Sequence, residues 1–226
     1  MAIEQERRGI RRQRWGIAMT EEETNGRKLL ALEFISMDGV IEAPHEWHFP
    51  YVGEDMVQLI GEAQGGFDAL LLGRVTYDGF AAAWPNMPDA PGAEQMNGAH
   101  HYVVSNTLGT GTWDPTTVIS GDRDAIARQI AAIKAQPGGG PIVTWGSSKL
   151  VPFLLEEGLL DELRLFVHPV ALGSGQRLFE DTAKFPLRVA ESRALSTGTM
   201  YMRYAPAETP ETPEVARGME SRTAEG

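Results

Sequence analysis

At 226 residues the chain is long enough for one ordinary domain, or at most two small ones, with a core that needs no staples. It contains no cysteine, which excludes structural disulfides, thiolate catalysis and thiolate-ligated zinc and is compatible with a reducing compartment. The formal net charge of −11 argues against a general nucleic-acid binder, which must cluster Lys and Arg on its surface to neutralise phosphate.

No stretch approaches the ~20 apolar residues of a membrane span, and the N-terminus lacks the apolar centre of a signal peptide. The chain is therefore expected to be soluble, unexported and cytoplasmic. Residues 1–26 carry Arg7, Arg8, Arg11, Arg12 and Arg14, then Glu21, Glu22 and Glu23, with few large apolar residues. They are expected to form a solvated, disordered tail rather than a nucleic-acid or membrane-surface arm, and Met19 offers an alternative start.

From Lys28 an apolar run, Leu29 to Ser36, ends in the turn signal Asp38-Gly39 and predicts a buried strand. Glu54 to Ala63 places Met56, Val57, Leu59 and Ile60 at helical spacing, closed by Gly65-Gly66. Ala69 to Gly73 is a second strand feeding a helix that starts at Arg74. Residues 85–98 hold Pro85, Pro88, Pro91, Gly92 and Gly98 and predict a loop. His101 to Ser105 and Thr116 to Ser120 follow as strands, and Asp122 to Ala135 as a helix ended by Pro137 and three glycines.

Pro141 to Trp145, then Gly146-Ser147-Ser148 and the apolar Leu150, Val151, Phe153, Leu154 and Leu155, predict a strand, a tight turn and a helix stopped at Gly158. Small residues at such a junction let a phosphate approach the unpaired N–H groups of a helix start, although a plain turn with Ser147 as N-cap would show the same pattern. Glu162 to Val170 is a further strand in which Pro169 forces a bend or an edge position. Leu187 to Ala194 and Thr199 to Tyr204 predict a closing hairpin. Residues 206–226, with their Glu-Thr-Pro repeats, are expected to be a second disordered tail.

Strands alternating with helices before an antiparallel hairpin predict an α/β domain over 27–205, with a mixed, mostly parallel sheet flanked by helices. Ligands of such sheets sit beyond the carboxyl ends of the strands, where Ser36 to Asp38, Gly73-Arg74, Ser105 and Gly146-Ser147 are all expected.

The order of these motifs resembles the dihydrofolate reductase-like superfamily, and within it stand-alone members of the riboflavin-biosynthesis reductase (RibD C-terminal) domain family. The resemblance covers about residues 28–205. It rests on Ser36-Met37-Asp38-Gly39, Leu72-Gly73-Arg74-Val75-Thr76-Tyr77, Val104-Ser105, Trp145-Gly146-Ser147 with Leu150, and Pro169 to Gly175 with Leu178-Phe179. It implies a dihydrofolate reductase-like fold and a reductase that binds NADPH across the carboxyl edge of the sheet. Carried over, Gly146, Ser147 and Ser148 would hold the pyrophosphate, Gly73, Arg74 and Thr76 the adenosine-side phosphates, and Ser105 the 2′-phosphate region. Gly39 and Val40 would lie near the nicotinamide.

Two departures stand out. The family usually carries a second glycine where this chain has Ser147. In place of the basic residues that hold a ribose phosphate, the segment after the first strand offers Trp47, Phe49 and Tyr51 with Glu46 and Asp55, which suits a flat, neutral or cationic ring.

Other motifs fail. Gly109-Thr110-Gly111 and Gly173-Ser174-Gly175 lack the third glycine and the helix of a dinucleotide fingerprint, and Pro141 stands where a nucleotide-hydrolase phosphate loop needs glycine. His45 and His48 precede Pro50 in a loop, so with His100 and His101 they do not form a metal-ligand pattern and no metal is expected. His168 reads as a satisfied sheet residue. Asp38 is the candidate catalytic acid, against the plain alternative that it shapes an Asp-Gly turn.

The expected activity is hydride transfer from NADPH to a small heterocyclic, pterin- or pyrimidine-like substrate, with protonation by Asp38 or a bound water. The alternative is a non-catalytic nucleotide-binding or interaction module on the same fold. Expected partners are the small-molecule substrate and, in a homodimer, a second copy of the chain, with neither nucleic acid nor membrane.

Overall fold

The computed structural model describes residues 26–180 and 182–209. The two tails expected at 1–26 and 206–226 lie, but for Gly26 and 206–209, outside the described residues. Eight strands run β1 (Leu29–Ser36), β2 (Ala69–Gly73), β3 (His100–Val104), β4 (Thr116–Ile119), β5 (Ile142–Trp145), β6 (Glu162–His168), β7 (Leu187–Ala194) and β8 (Met200–Pro206). Five helices intervene: α1 (Glu54–Gln64), α2 (Arg74–Ala83), α3 (Ala93–Gly98), α4 (Arg123–Lys134) and α5 (Leu150–Glu156).

The strands form one sheet in the order β4-β3-β2-β5-β1-β6-β8-β7. All pairs from β4 to β6 are parallel, and the closing pairs β6 with β8 and β8 with β7 are antiparallel. The centre of a parallel sheet is covered on both faces, which is why β1 and β2 read as near-continuous apolar runs.

Side-chain alternation divides the core in two. Leu30, Leu32, Leu70, Leu72, Val143 and Phe166 pack under α1, α2 and α3 through Met56, Leu59, Tyr77 and Met96. Leu29, Ala31, Ile35, Leu71, Ile142 and Leu163 pack under α4 and α5 through Ile130, Ile133, Leu150, Val151 and Leu154. A seven-residue helix such as α5 is not stable alone; burying its apolar side chains, at ~1.5–3 kcal/mol each, holds it in place.

The neighbouring strands β1 and β5 therefore send their connections to opposite faces, and this opens a crevice beyond their carboxyl ends, the position where α/β sheets bind ligands.

One local expectation changes. The Pro-rich segment 85–98 contains a 3-10 turn, Trp84–Asn86, and then α3, because Gly92 in the left-handed region at φ 83° starts a helix whose Ala93 and Met96 are buried. Of the two outcomes expected of Pro169, a bend or an edge position, the structure has the bend. β6 lies between β1 and β8, ends at His168, and leaves the sheet at the proline.

Candidate functional site

The loops that leave β2 and β5 touch. A Cβ placed on Gly73 would lie 2.9 Å from the Ser147 Oγ, and one on Gly146 would lie 3.0 Å from the Thr76 Oγ1. Gly73, Thr76, Gly146 and Ser147 thus form one cradle of small residues, and glycine is required at Gly146 by its φ of 66° as well as by space. Gly73 caps α2 without a side-chain hydrogen bond, so no cap shields the first-turn N–H groups of that helix.

Ser147 combines a hydroxyl with a left-handed backbone at φ 83°, a conformation that favours the family's glycine. Its Oγ accepts the Leu150 N–H at 3.0 Å, which compensates part of that strain, while Lys149 holds the formal cap position of α5. Ser148 lies in the turn that leads into α5.

Arg74 spends its Nε on both oxygens of Asp78, at 2.8 and 2.7 Å, an exposed pair one helical turn apart. The Ser105 hydroxyl accepts the N–H groups of Thr107 and Leu108, so it shapes the loop after β3 rather than reaching outward.

The turn after β1 is closed on itself. The Ser36 Oγ donates to Asp38 at 2.6 Å and accepts the Val40 N–H at 2.9 Å, and Asp38 also accepts the N–H groups of Leu172 and Gly173. Those bonds, led by the one from Ser36, hold the Asp38 carboxyl down at about 2. A carboxyl in that state has no proton to donate near neutrality. The geometry makes Asp38 a latch between β1 and the loop after β6.

Gly39 and Val40 are likewise occupied. Gly39 bonds Ser36 and Leu178 through its N–H and carbonyl, and Val40, 1 % exposed, exchanges bonds with Ser36 beneath Gly175. Neither leaves a backbone group free for a ligand.

Across the crevice, aromatic side chains converge. Trp47, Tyr51, His48 and Phe34 set their rings nearly perpendicular to the His168 ring, at centroid distances of 5.1, 5.7, 5.9 and 5.8 Å. His48 stacks on Phe34 at 4.6 Å with the planes 14° apart, and Phe49 tilts against His48 at 4.4 Å. The three candidate substrate residues Trp47, Phe49 and Tyr51 thus share one cluster, with Phe49 on its open side, 64 % exposed. Glu46 is exposed, and Asp55 turns away to accept the N–H and hydroxyl of Ser196.

His168, which from the sequence reads as a satisfied sheet residue, is only half satisfied. It is completely buried, its Nδ1 lies 2.8 Å from the Phe166 carbonyl, and its Nε2 has no partner. A carbonyl can only accept, so Nδ1 carries the proton and Nε2 is a bare acceptor. Burial holds the ring neutral against the pull of the Phe166 and Ile35 carbonyls. Burial also pushes His48 down to about 4, helped by the neighbouring His168 and His45.

Glu33, in the middle of β1, was unnoticed. It is 2 % exposed, burial raises its carboxyl well above the ordinary 4.5, and the Gly146 N–H only partly offsets this. Its Oε1 is unpartnered, as is the hydroxyl of Thr144 on the same face of the adjoining strand. An acid interrupting an otherwise apolar strand was the available signal, and for His168 it was a polar residue at a strand end.

Elsewhere the histidines are structural. His101 gives both ring nitrogens to carbonyls, of Trp113 and Met96, and stacks on Trp113 at 3.6 Å. Among the described residues no group of three or more His, Asp or Glu is placed to hold a metal, and no helix is long and apolar enough to cross a membrane.

Comparison with known proteins agrees with this architecture. The chain is 29% identical over 142 residues to the protein YyaP of Bacillus subtilis (strain 168), which covers 61% of this chain and 73% of that protein. A riboflavin biosynthesis protein from Shewanella sp. PV-4, described as putative, superposes with a TM-score of 0.58 at 20% identity, over 80% of this chain and 99% of its own. A pyrimidine reductase-like protein from Corynebacterium diphtheriae gives 0.56 at 15% identity, over 87% and 98%. Dihydrofolate reductase from Enterococcus faecalis, complexed with NADP(H), gives 0.54 at 16% identity, over 80% and 97%. At these identities the structures share the fold. The family model of the RibD C-terminal domain matches residues 27–201, so the chain belongs to that family, on a dihydrofolate reductase-like fold.

Proposed function

We propose that the protein is an NADPH-dependent reductase acting on a small heterocyclic, pterin- or pyrimidine-like substrate. The observation that carries this reading is the pairing, across one crevice, of a small-residue cradle at Gly73, Thr76, Gly146 and Ser147 with a cluster of aromatic rings around His168. The cradle fits a phosphate-bearing cofactor, because its small residues leave room for close approach and a side chain at Gly146 would crowd Thr76.

In this reading Gly146, Ser147 and Ser148 hold the pyrophosphate, and Gly73, Arg74 and Thr76 the adenosine-side phosphates. Ser105 contributes by ordering the loop at the 2′-phosphate region. When bound, NADPH supplies the hydride. The aromatic cluster orients the substrate ring and excludes water from its face. The proton that completes reduction comes from a water at the crevice mouth, since Asp38 is held ionised by Ser36, Leu172 and Gly173.

The test is a titration with NADPH and NADH, followed by an NADPH-oxidation screen with pterins, pyrimidines and quinones. Preferential NADPH binding with turnover of a heterocycle is expected. No binding would refute the reading, and binding without any oxidation would favour the nucleotide-binding module.

A further inference from the structure

We propose that the His48 side chain fills a slot built for a flat nitrogen heterocycle, which stacks on Phe34 and donates a ring N–H to the Nε2 of His168. This deepens the reductase reading and rests on it for the identity of the ring as substrate. Three observations carry it.

First, the slot already holds a flat ring. The His48 imidazole lies nearly parallel to Phe34 at 4.6 Å, the arrangement of an offset stack, and its Nδ1 is buried without a partner. A buried polar atom without a partner is costly, so this imidazole fits the apolar slot in shape but not in hydrogen bonding.

Second, the slot has one fixed polar group. The Phe166 carbonyl locks the proton of His168 on Nδ1, and the ring whose buried Nε2 has no partner is packed edge-on by Phe34, Trp47, His48 and Tyr51. Such an acceptor selects a donor, and a ring whose N–H is methylated cannot satisfy it.

Third, the segment that carries His48 is lightly attached. From Ala43 to Val52 its backbone hydrogen bonds are local, Glu46 to Ala43, Trp47 and His48 to Pro44, Tyr51 to His48 and Val52 to Phe49. Neither of its 3-10 turns has a buried residue or a side-chain cap, and it hinges at Ala43, a non-glycine residue at φ 43°. Thr197 bonding the Tyr51 carbonyl fastens only its far end. Displacing His48 therefore breaks ring contacts and leaves the sheet intact.

The experiment titrates the full chain with lumazine and with 1,3-dimethyllumazine, followed by ligand fluorescence, in wild type, His48→Ala and His168→Phe. Wild type should prefer lumazine at least tenfold, the effect of one hydrogen bond to a buried acceptor. His168→Phe should abolish the preference, and His48→Ala should tighten both ligands severalfold by emptying the slot. A long-range ¹⁵N spectrum of wild type, in which lumazine should shift the His168 Nε2 resonance, gives the same answer if His168→Phe does not fold. Equal wild-type affinities, no lumazine binding by wild type and His48→Ala, or an unmoved Nε2 resonance would overturn the proposal. A parallel NADPH titration separates the two readings. NADPH binding without ring discrimination retires the slot alone, and ring discrimination without NADPH binding retires the reductase alone.

Discussion

Replacing Glu33 by Gln should stabilise the protein increasingly as pH rises. Glu33 is buried in β1 with one oxygen unpartnered, and its folded-state pKa lies well above the ordinary 4.5. Between the unfolded and the folded value the native state binds more protons than the unfolded chain, so raising the pH favours unfolding. The loss amounts to ~1.4 kcal/mol per pH unit within that window and stops at the folded value. Gln is close in shape, carries no proton to lose, and keeps an oxygen for the Gly146 N–H. Near pH 4.5, where the Glu33 carboxyl is protonated in the folded state and about half protonated in the unfolded chain, the two proteins should differ by less than about 1 kcal/mol. By pH 7 the variant should be ahead by ~1.4 kcal/mol for each unit of the window crossed. Urea unfolding of both proteins at intervals from pH 4.5 to 8.5 measures the difference, and other titrating groups cancel in it. Curves that run parallel across this range would refute the idea that Glu33 is held protonated.

The remaining predictions concern the crevice. Asp38→Asn should turn over within about threefold of wild type, because a lost general acid costs ~10²–10⁴-fold and Asp38 is not placed as one; single-turnover NADPH absorbance decay decides this. Gly146→Ala should destabilise by roughly 1–2 kcal/mol, through its left-handed backbone and its contact with Thr76, and should weaken NADPH at least tenfold; unchanged affinity would move the phosphates elsewhere. Arg74→Ala should change stability by no more than ~0.5 kcal/mol, since its Asp78 pair is exposed, yet narrow the preference for NADPH over NADH by about 1–2 kcal/mol in parallel titrations.

Most of the architecture was legible because parallel strands buried on both faces leave continuous apolar runs, and Leu29 to Ser36, Ala69 to Gly73 and Ile142 to Trp145 are such runs. Helix ends were legible where chemistry marks them, as with Asp122, whose side chain caps α4 through the Ala125 N–H. The helix at Ala93–Gly98 was not, because six residues between prolines and glycines carry too little periodicity and it is tertiary burial of Ala93 and Met96 that stabilises it. The place of Pro169 was hidden for a similar reason. A proline just past a strand end is compatible with a central strand, and only the pairing with both β1 and β8 reveals that β6 is central.

Within the site, strand-end position and side-chain availability turned out to be different properties. Asp38, Gly39, Val40 and Ser105 all stand where a ligand-facing residue should stand, and all four are consumed by their own turns or by bonds to the loop after β6, since Ser, Asp and Gly are the residues that close a chain reversal. A residue type that suits a binding loop also suits the turn beneath it, so composition alone cannot separate the two. What separates them is whether hydrogen-bonding capacity is left over. By that measure the described residues with buried capacity to spare are Glu33 and Thr144 on one face of the sheet, His48 and His168 on the other, and Thr199 in the turn between β7 and β8. None of these five follows from a motif, because an unpartnered atom is a property of three-dimensional neighbours. The aromatic cluster was legible for the opposite reason. Trp47, Phe49 and Tyr51 are too large to be spent on a turn, and in a surface segment without buried residues such side chains find cover against one another and the nearest strand end, which here is His168.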